Sequence, residues 1–153
     1  MAAAFGNVVV VSISFYAYRD LSPDALAGKI VIDTMNYFEA RDGAQPEIQS
    51  GVLTSSELLA RHLSRSRVVR AFNAIISTEL ATDARPEGAS DRRAVGVAGD
   101  DSDAKATVEA MISSLVYDPV DAGALSEGKR MEAGGPIFNM RLDAAALHHA
   151  LTF

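Results

Sequence analysis

The sequence predicts an α/β domain built on a mostly parallel sheet of about five strands with flanking helices. Three observations carry this. The runs Val8-Val9-Val10-Val11 and Ile30-Val31-Ile32 are short, β-branched and without polar alternation, as in strands covered on both faces. Helical patterns fall between such runs, which is the order of a parallel sheet with crossover connections. No repeat, low-complexity tract or linker divides the 153 residues, a length that suits about one domain on a prior of roughly 150 residues each. We read residues 1–153 as one unit, with a strand-and-helix core over 5–122 and a C-terminal helical region over 123–153.

The first strand is expected over Val8–Ile13, buried on both faces. Tyr16–Leu26 reads as a short helix or turn, with Ser22-Pro23-Asp24 as a start signal and Gly28 as the stop. Lys29–Asp33 is a second buried strand. Glu39–Gly51 is rich in Gly, Pro, Gln and charge and reads as surface loop. Thr54-Ser55-Ser56-Glu57 fits a capping box, so a helix starts there and runs to about Leu63, with Leu58, Leu59 and Leu63 inward. Arg67–Phe72 is a third strand and Arg93–Ala98 a fourth. Asp101 or Ser102 caps a helix over Asp103–Leu115, whose apolar stripe is Ala104, Val108, Met111, Ile112 and Leu115. A weaker fifth strand spans Leu115–Val120. Leu142, Ala145, Ala146 and His149 line one face of a terminal helix.

Composition excludes several functions. The net charge is −6, with 14 Lys plus Arg against 20 Asp plus Glu, which argues against a nucleic-acid partner. There is no Cys, so disulfides, thiolate metal sites and Cys nucleophiles are out. No apolar run reaches the roughly 18 residues of a membrane span, and no signal peptide is legible, so the expectation is a cytoplasmic protein without a membrane partner. His148-His149 lacks the further ligands of a zinc site.

Ligands of open α/β sheets sit beyond the carboxyl ends of strands. The residues there are Ser12–Phe15, Asp33–Asn36, Asn73–Ile75, Gly99–Asp101 and Asp121–Gly123. They offer small polar groups and amides, with no His, no Cys and no carboxylate pair at catalytic spacing. Such a set suits a planar or phosphorylated ligand, and a cofactor that carries its own chemistry, better than acid–base catalysis. Each residue also has a plainer role. Asn73 can close a turn, Asp100-Asp101 can cap a helix, and Lys129-Arg130 can be a solvated pair.

The segments Gly28–Phe38, Val68–Ile75, Val97–Asp101 and Asp118–Leu125 occur in this order and spacing. Together they resemble the deazaflavin (factor 420)-dependent NADP oxidoreductase family, the NADPH:factor-420 reductases and their relatives, from about Phe5 to the C-terminal region. The resemblance implies a Rossmann-like sheet, NADP as cofactor, deazaflavin as a possible second one, hydride transfer between them, no catalytic side chain and no metal. Carried over by position, it sets Ser12, Ile13, Ser14 and Phe15 along the cofactor, and Asn73 and Ile75 beside the nicotinamide and deazaflavin rings. Asn36 follows the second strand into the same cleft. Lys129–Pro136 matches the segment that contacts the deazaflavin side chain, where Ala133 and Gly135 offer only backbone.

The family holds the NADP pyrophosphate on a glycine-rich loop, and this chain has no G-x-G-x-x-G. Gly96-x-x-Gly99 lies in and after a late strand. The family pattern puts Val8–Ile13 at its fourth strand, so a partial Rossmann-like sheet is expected, with Val8–Ile13 at an open edge. That edge has no Lys or Pro to blunt it and invites a homodimer, through strand pairing or exchange of elements. The alternatives to an active oxidoreductase are a non-catalytic self-associating remnant and half of a split enzyme that lacks the phosphate loop.

Overall fold

The computed structural model describes residues 5–152. Five strands form one sheet in the order β1-β2-β3-β4-β5: Val8–Val11, Ile30–Asp33, Arg67–Arg70, Ala94–Gly99 and Asp118–Gly123. The first three are parallel. β4 runs antiparallel to β3, and β5 is parallel to β4. The sheet is therefore two parallel blocks of opposite direction rather than one.

β2 is buried along its whole length, and its side chains alternate between two cores as the pleat requires. Val31 and Val68 face a core with Phe15, Tyr18, Leu58, Leu59 and Leu63. Ile30, Ile32 and Val69 face another with Val95, Val97, Val108, Ile112 and Tyr117. An unbroken apolar run reads correctly here because both faces are covered. β1 has the same composition and a different fate. It stands at the sheet edge, stops at Val11 rather than Ile13, and leaves Val10 56% exposed. Buried on both faces is thus wrong for β1: an edge strand keeps its β-branched side chains but has a neighbour on one side only.

Tyr16–Leu26 resolves into a 3-10 turn, Phe15–Asp20, and α1, Pro23–Leu26. The expected loop Glu39–Gly51 contains two single-turn helices, α2 (Glu39–Asp42) and α3 (Pro46–Gln49). Buried Asp42 fastens this stretch, accepting from Phe38 N at 2.8 Å, Tyr16 N at 3.2 Å and the Arg41 guanidinium at 2.8 Å.

The capping box forms in full. Thr54 Oγ1 accepts from Glu57 N at 3.1 Å and Glu57 Oε2 accepts from Thr54 N at 2.7 Å, opening α4, Ser55–His62. Asp101 Oδ1 accepts from Ala104 N at 2.7 Å and opens α5, Ser102–Ser114. Leu115 is the residue after α5 and is exposed, so the predicted inward stripe ends at Ile112. β5 starts at Asp118, later than expected, because Val116 turns the chain at φ 61°.

A second 3-10 segment, Leu125–Met131, and α6, Ala144–Thr152, cover Ala94, Ala98 and Val120 through Met131 and Leu147, joined by Ile137 from the stretch between them. The buried side of α6 is that of Leu147, so Ala145, Ala146 and His149 stand exposed rather than on the inner face. Among the described residues no helix is long and apolar enough to cross a membrane.

Candidate functional site

The direction of β4 decides where a site can be. The carboxyl ends of β1, β2 and β3 share one end of the sheet, and the starts of β4 and β5 come to meet them. Gly99–Asp101 and Asp121–Gly123, which the strand-end rule includes, lie at the opposite end. There Asp100 Oδ1 accepts from Leu125 N at 2.9 Å, Asp101 caps α5, and Asp121 pairs with Lys105 at 2.7 Å. The segments Leu115–Tyr117 and Phe138–Asn139 take their place at the first end.

A cleft of about 630 Å³ opens at that end. Val10, Phe72, Ile75, Ile76, Leu80 and Phe138 give it apolar walls, and Ser12, Thr34, Asn36, Asn73, Ser77 and Asn139 give it polar points. Three described non-glycine residues have positive φ: Phe72 at 63°, Val116 at 61° and Asn139 at 57°. Phe72 and Asn139 line the cleft, and Val116 lies between two residues that do, Leu115 and Tyr117. For Phe and β-branched Val this conformation is strained, and such strain collects at functional sites.

Of the seven predicted site residues, four meet in the cleft: Ser12, Asn36, Asn73 and Ile75. The other three do not. Ile13 is outside the lining. Ser14 precedes the 3-10 turn and accepts from Ala17 N through its backbone at 3.1 Å. Phe15 is 0% exposed, stacked on Tyr18 at 4.8 Å with Tyr37 against its edge at 5.7 Å, so its side chain is core. After Ser12 the chain turns away from the cleft, with Ile13 exposed and Phe15 in the core.

Asn73 is the centre of the polar wall. It is 3% exposed, and its Nδ2 donates to Met131 O at 2.7 Å and to Asn36 Oδ1 at 3.1 Å. Asn36 Nδ2 donates back to Asn73 O at 2.9 Å. These bonds fix both amide orientations, and they leave Asn73 Oδ1 buried without a partner. An acceptor in that condition carries a desolvation cost.

Behind Asn36 lies a buried charge network that the sequence pattern alone did not announce. Arg70 is fully buried at the end of β3, and the missing side chain of Gly128 makes room for it: a Cβ there would meet Arg70 Cδ at 2.8 Å. Arg70 Nη1 donates to Ser56 Oγ at 2.6 Å, Ser55 Oγ at 3.1 Å and Asp33 Oδ2 at 3.2 Å. Arg70 Nη2 donates to Asn36 Oδ1 at 3.5 Å and lies 4.0 Å from Glu132 Oε1. Burial pushes the Asp33 carboxyl above its ordinary value, against the pull of Arg70 and Ser56. A signal was available: Arg70 sits inside Val68-Val69-Arg70-Ala71-Phe72, and an Arg in a run read as buried demands a carboxylate partner. Asp33, at the end of the neighbouring strand, is that partner.

The segment 129–136 does not reach the cleft. With Tyr37, Ile48 and Gln49 it lines a second cavity of about 690 Å³, into whose wall Glu132 is built. Glu132 Oε1 accepts from Ser55 Oγ at 2.6 Å and Ser55 N at 2.8 Å. Among the described residues no group of three or more His, Asp or Glu could hold a metal ion.

No family model matches the chain. It is similar to metalloreductase STEAP3 of Rattus norvegicus, 30% identical over 134 residues, which is 86% of this chain and 25% of that protein. The chain thus spans about a quarter of this curated relative. Among solved structures it is similar to the hypothetical protein SMa0349 of Sinorhizobium meliloti, with TM-score 0.76 and 27% identity over 90% of this chain and 67% of that one. It is also similar to a "putative f420 dependent nadp-reductase" of Arthrobacter sp. FB24, with TM-score 0.64 and 26% identity over 80% and 57% of the two chains. A pyrroline-5-carboxylate reductase of Coxiella burnetii shares the fold at TM-score 0.50 and 20% identity, covering 88% and 44%. The fold and these likenesses make the chain a Rossmann-like α/β protein, similar in sequence and in structure to these reductases.

Proposed function

We propose that this chain supplies the ring-binding part of an NADP(H)-dependent oxidoreductase, for hydride transfer between NADP(H) and a deazaflavin or flavin-like acceptor. The observation that carries the reading is the apolar cleft at the strand ends, where Ser12, Asn36, Asn73 and Ile75 come together. A planar ring such as nicotinamide suits these walls and would lie against Ile75, Val10 and Phe72. NADP(H) supplies the hydride when bound. The residues of this chain orient the ring and exclude water, and no side-chain proton donor is required. Thr34 Oγ1 is already committed to Val11 O at 3.0 Å and Asn73 Nδ2 to Met131 O and Asn36 Oδ1, so of the polar groups that follow the strands Ser12 is left for a ligand.

The fit covers the ring and not the pyrophosphate. A glycine-rich turn at a helix N-terminus supplies most of the phosphate's partners in such folds, and the sequence offers no G-x-G-x-x-G. Weak binding follows for the chain on its own. The test is a calorimetric or fluorescence titration with NADPH up to millimolar cofactor; saturable binding that Asn73→Ala weakens supports the reading, and no binding refutes it for this chain.

A homodimer belongs to the same proposal. β1 pairs only with β2 among the described strands, and Val10 is exposed between the free backbone edge and the cleft. Pairing of two copies through β1 would cover it. Light scattering of a sized sample checks this: a dimer that Val10→Lys dissociates is expected, and a well-folded monomer at micromolar concentration refutes it.

A further inference from the structure

The cleft is walled without charge. Of the whole chain 22% is charged, yet no Asp, Glu, Lys, Arg or His is among the described residues that line it. Val10, Ile76, Leu80 and Leu115 stand exposed on its walls, so apolar surface is open to a ligand. Tyr117 is the one titratable side chain among the lining residues. Its hydroxyl donates to Leu80 O at 2.6 Å, and burial pushes its pKa up, so it stays neutral. The charges behind the walls are taken up by one another. Buried Arg93 donates through Nη1 to Glu79 Oε2 and Asp83 Oδ2, both at 2.7 Å, so Glu79, next to Leu80 in the chain, is already paired. Arg70, behind Asn36, is held by Asp33, Ser55 and Ser56.

A ring that enters such a cleft exchanges water for apolar contact. For an uncharged ring the exchange is favourable. For a cationic ring it is not, because hydration is lost and no carboxylate replaces it. The rings of Phe72 and Phe138 can attract a cation, but they return less than the lost hydration. The nicotinamide ring exists in both states: it is neutral in NADPH and carries a positive charge in NADP+.

We infer that the cleft selects the redox state of its ring, holding the neutral dihydronicotinamide and releasing the cationic nicotinamide, with Ile76, Leu80 and Leu115 as the residues that set the preference. The inference deepens the proposed nicotinamide reading and rests on it. It also gives that reading a direction. Hydride transfer carries two electrons and one proton from the neutral ring to the flavin-like acceptor, which takes a further proton from water, and a cationic ring remains. Walls that keep the neutral ring and let go of the cationic one suit the direction from NADPH to the acceptor.

The test is calorimetric titration of the full chain with NADPH and with NADP+. The two share every phosphate, so the ratio of their affinities reports on the ring. Wild type should bind NADPH about tenfold more tightly. Leu80 is exposed, so its replacement is compatible with folding. Leu80→Glu puts a carboxylate on the wall and should bring the ratio to about one, whereas Leu80→Lys should widen it. A structural lesion would weaken both ligands alike. A wild-type ratio of about one or below, or a ratio that the two variants do not move in opposite directions, overturns the inference. A second measurement separates it from the reading beneath it. The N-methylnicotinamide cation and its neutral dihydro form carry the ring without phosphates, and each is titrated while the backbone amides of Ile76 and Leu80 are followed by NMR. The dihydro form should shift them at about tenfold lower concentration. If NADPH does not bind and the ring pair shows this preference, the cofactor reading fails and the selectivity of the cleft stands. If the two rings act alike, or neither moves the resonances, the inference is overturned.

Discussion

At one end of the sheet, Asn36 and Asn73 face a cleft, and one buried acceptor has no partner. At the other end, the carboxylates of Asp100, Asp101 and Asp121 are all engaged, by Leu125 N, Ala104 N and Lys105. Both ends follow short apolar strands and both carry small polar residues. The difference lies in whether every polar atom finds a partner. Asp101 caps α5, the N–H of Leu125 takes Asp100, and Lys105 with Gly123 N takes Asp121. Where the chain instead makes a strained turn at Phe72, the Asn73 amide donates both ways and its oxygen stays buried without a partner. A polar strand end is thus a candidate site only after its local hydrogen bonds have been accounted for.

The largest effect should come from the charge beneath the cleft. Arg70→Met removes the cation and leaves Asp33 buried without it, so stability should fall by about 3–5 kcal/mol in urea unfolding. The double variant Asp33→Asn with Arg70→Met should recover part of that loss. A loss under about 1 kcal/mol for the single variant would place Arg70 in ordinary surface-like surroundings and undo the comparison.

Next comes Asn73→Ala. It removes donors to Met131 O and Asn36 and should cost about 1–2 kcal/mol of stability, with a further loss of about tenfold in NADPH affinity. At the far end, Asp101→Ala should cost about 1 kcal/mol by uncapping α5 and leave NADPH binding unchanged. If Asp101→Ala weakens binding as much as Asn73→Ala, the two ends are not distinct in function.

The smallest effect is in pH dependence, and its sign differs between the ends. Burial raises the Asp33 carboxyl above 3.8, so the folded state holds that proton more tightly and Asp33's contribution to stability falls as pH rises above 3.8. At Asp121 burial works upward too, but the bonds from Lys105 and Gly123 N outweigh it and hold the carboxyl down. Its contribution is present above 3.8 and is lost as pH falls below that value. Unfolding of Asp121→Asn across acid pH should therefore show a flatter acid limb than wild type; an unchanged limb would contradict the assignment.

These contrasts also explain how far residue order alone reveals the fold and the site. Capping residues announce themselves locally, so Thr54–Glu57 and Asp101 read correctly. Strand composition reports β-branching rather than position in the sheet, so β1 and β2 look alike although one is an edge and the other is internal. Strand direction has no local signal: the buried run Ala94–Gly99 would have the same composition in either direction, and nothing in it says that β4 opposes β3. That single unknown moved Gly99–Asp101 and Asp121–Gly123 to the wrong end. Asn36, Asn73, Ile75 and Ser12 come together in one cleft because they follow the three strands that are parallel. Phe15 did not, because an aromatic after a strand packs inward when a core lies beside it. Arg70 and Asp33 were in plain view as charges in apolar runs, and pairing them required the register in which Asp33 stands opposite Arg70.

The most direct measurement is the titration of wild type and Asn73→Ala with NADPH, each first shown to be folded. The account predicts saturable binding by wild type that weakens about tenfold in the variant. Equal affinities, or no binding by a folded wild type at millimolar NADPH, would contradict it.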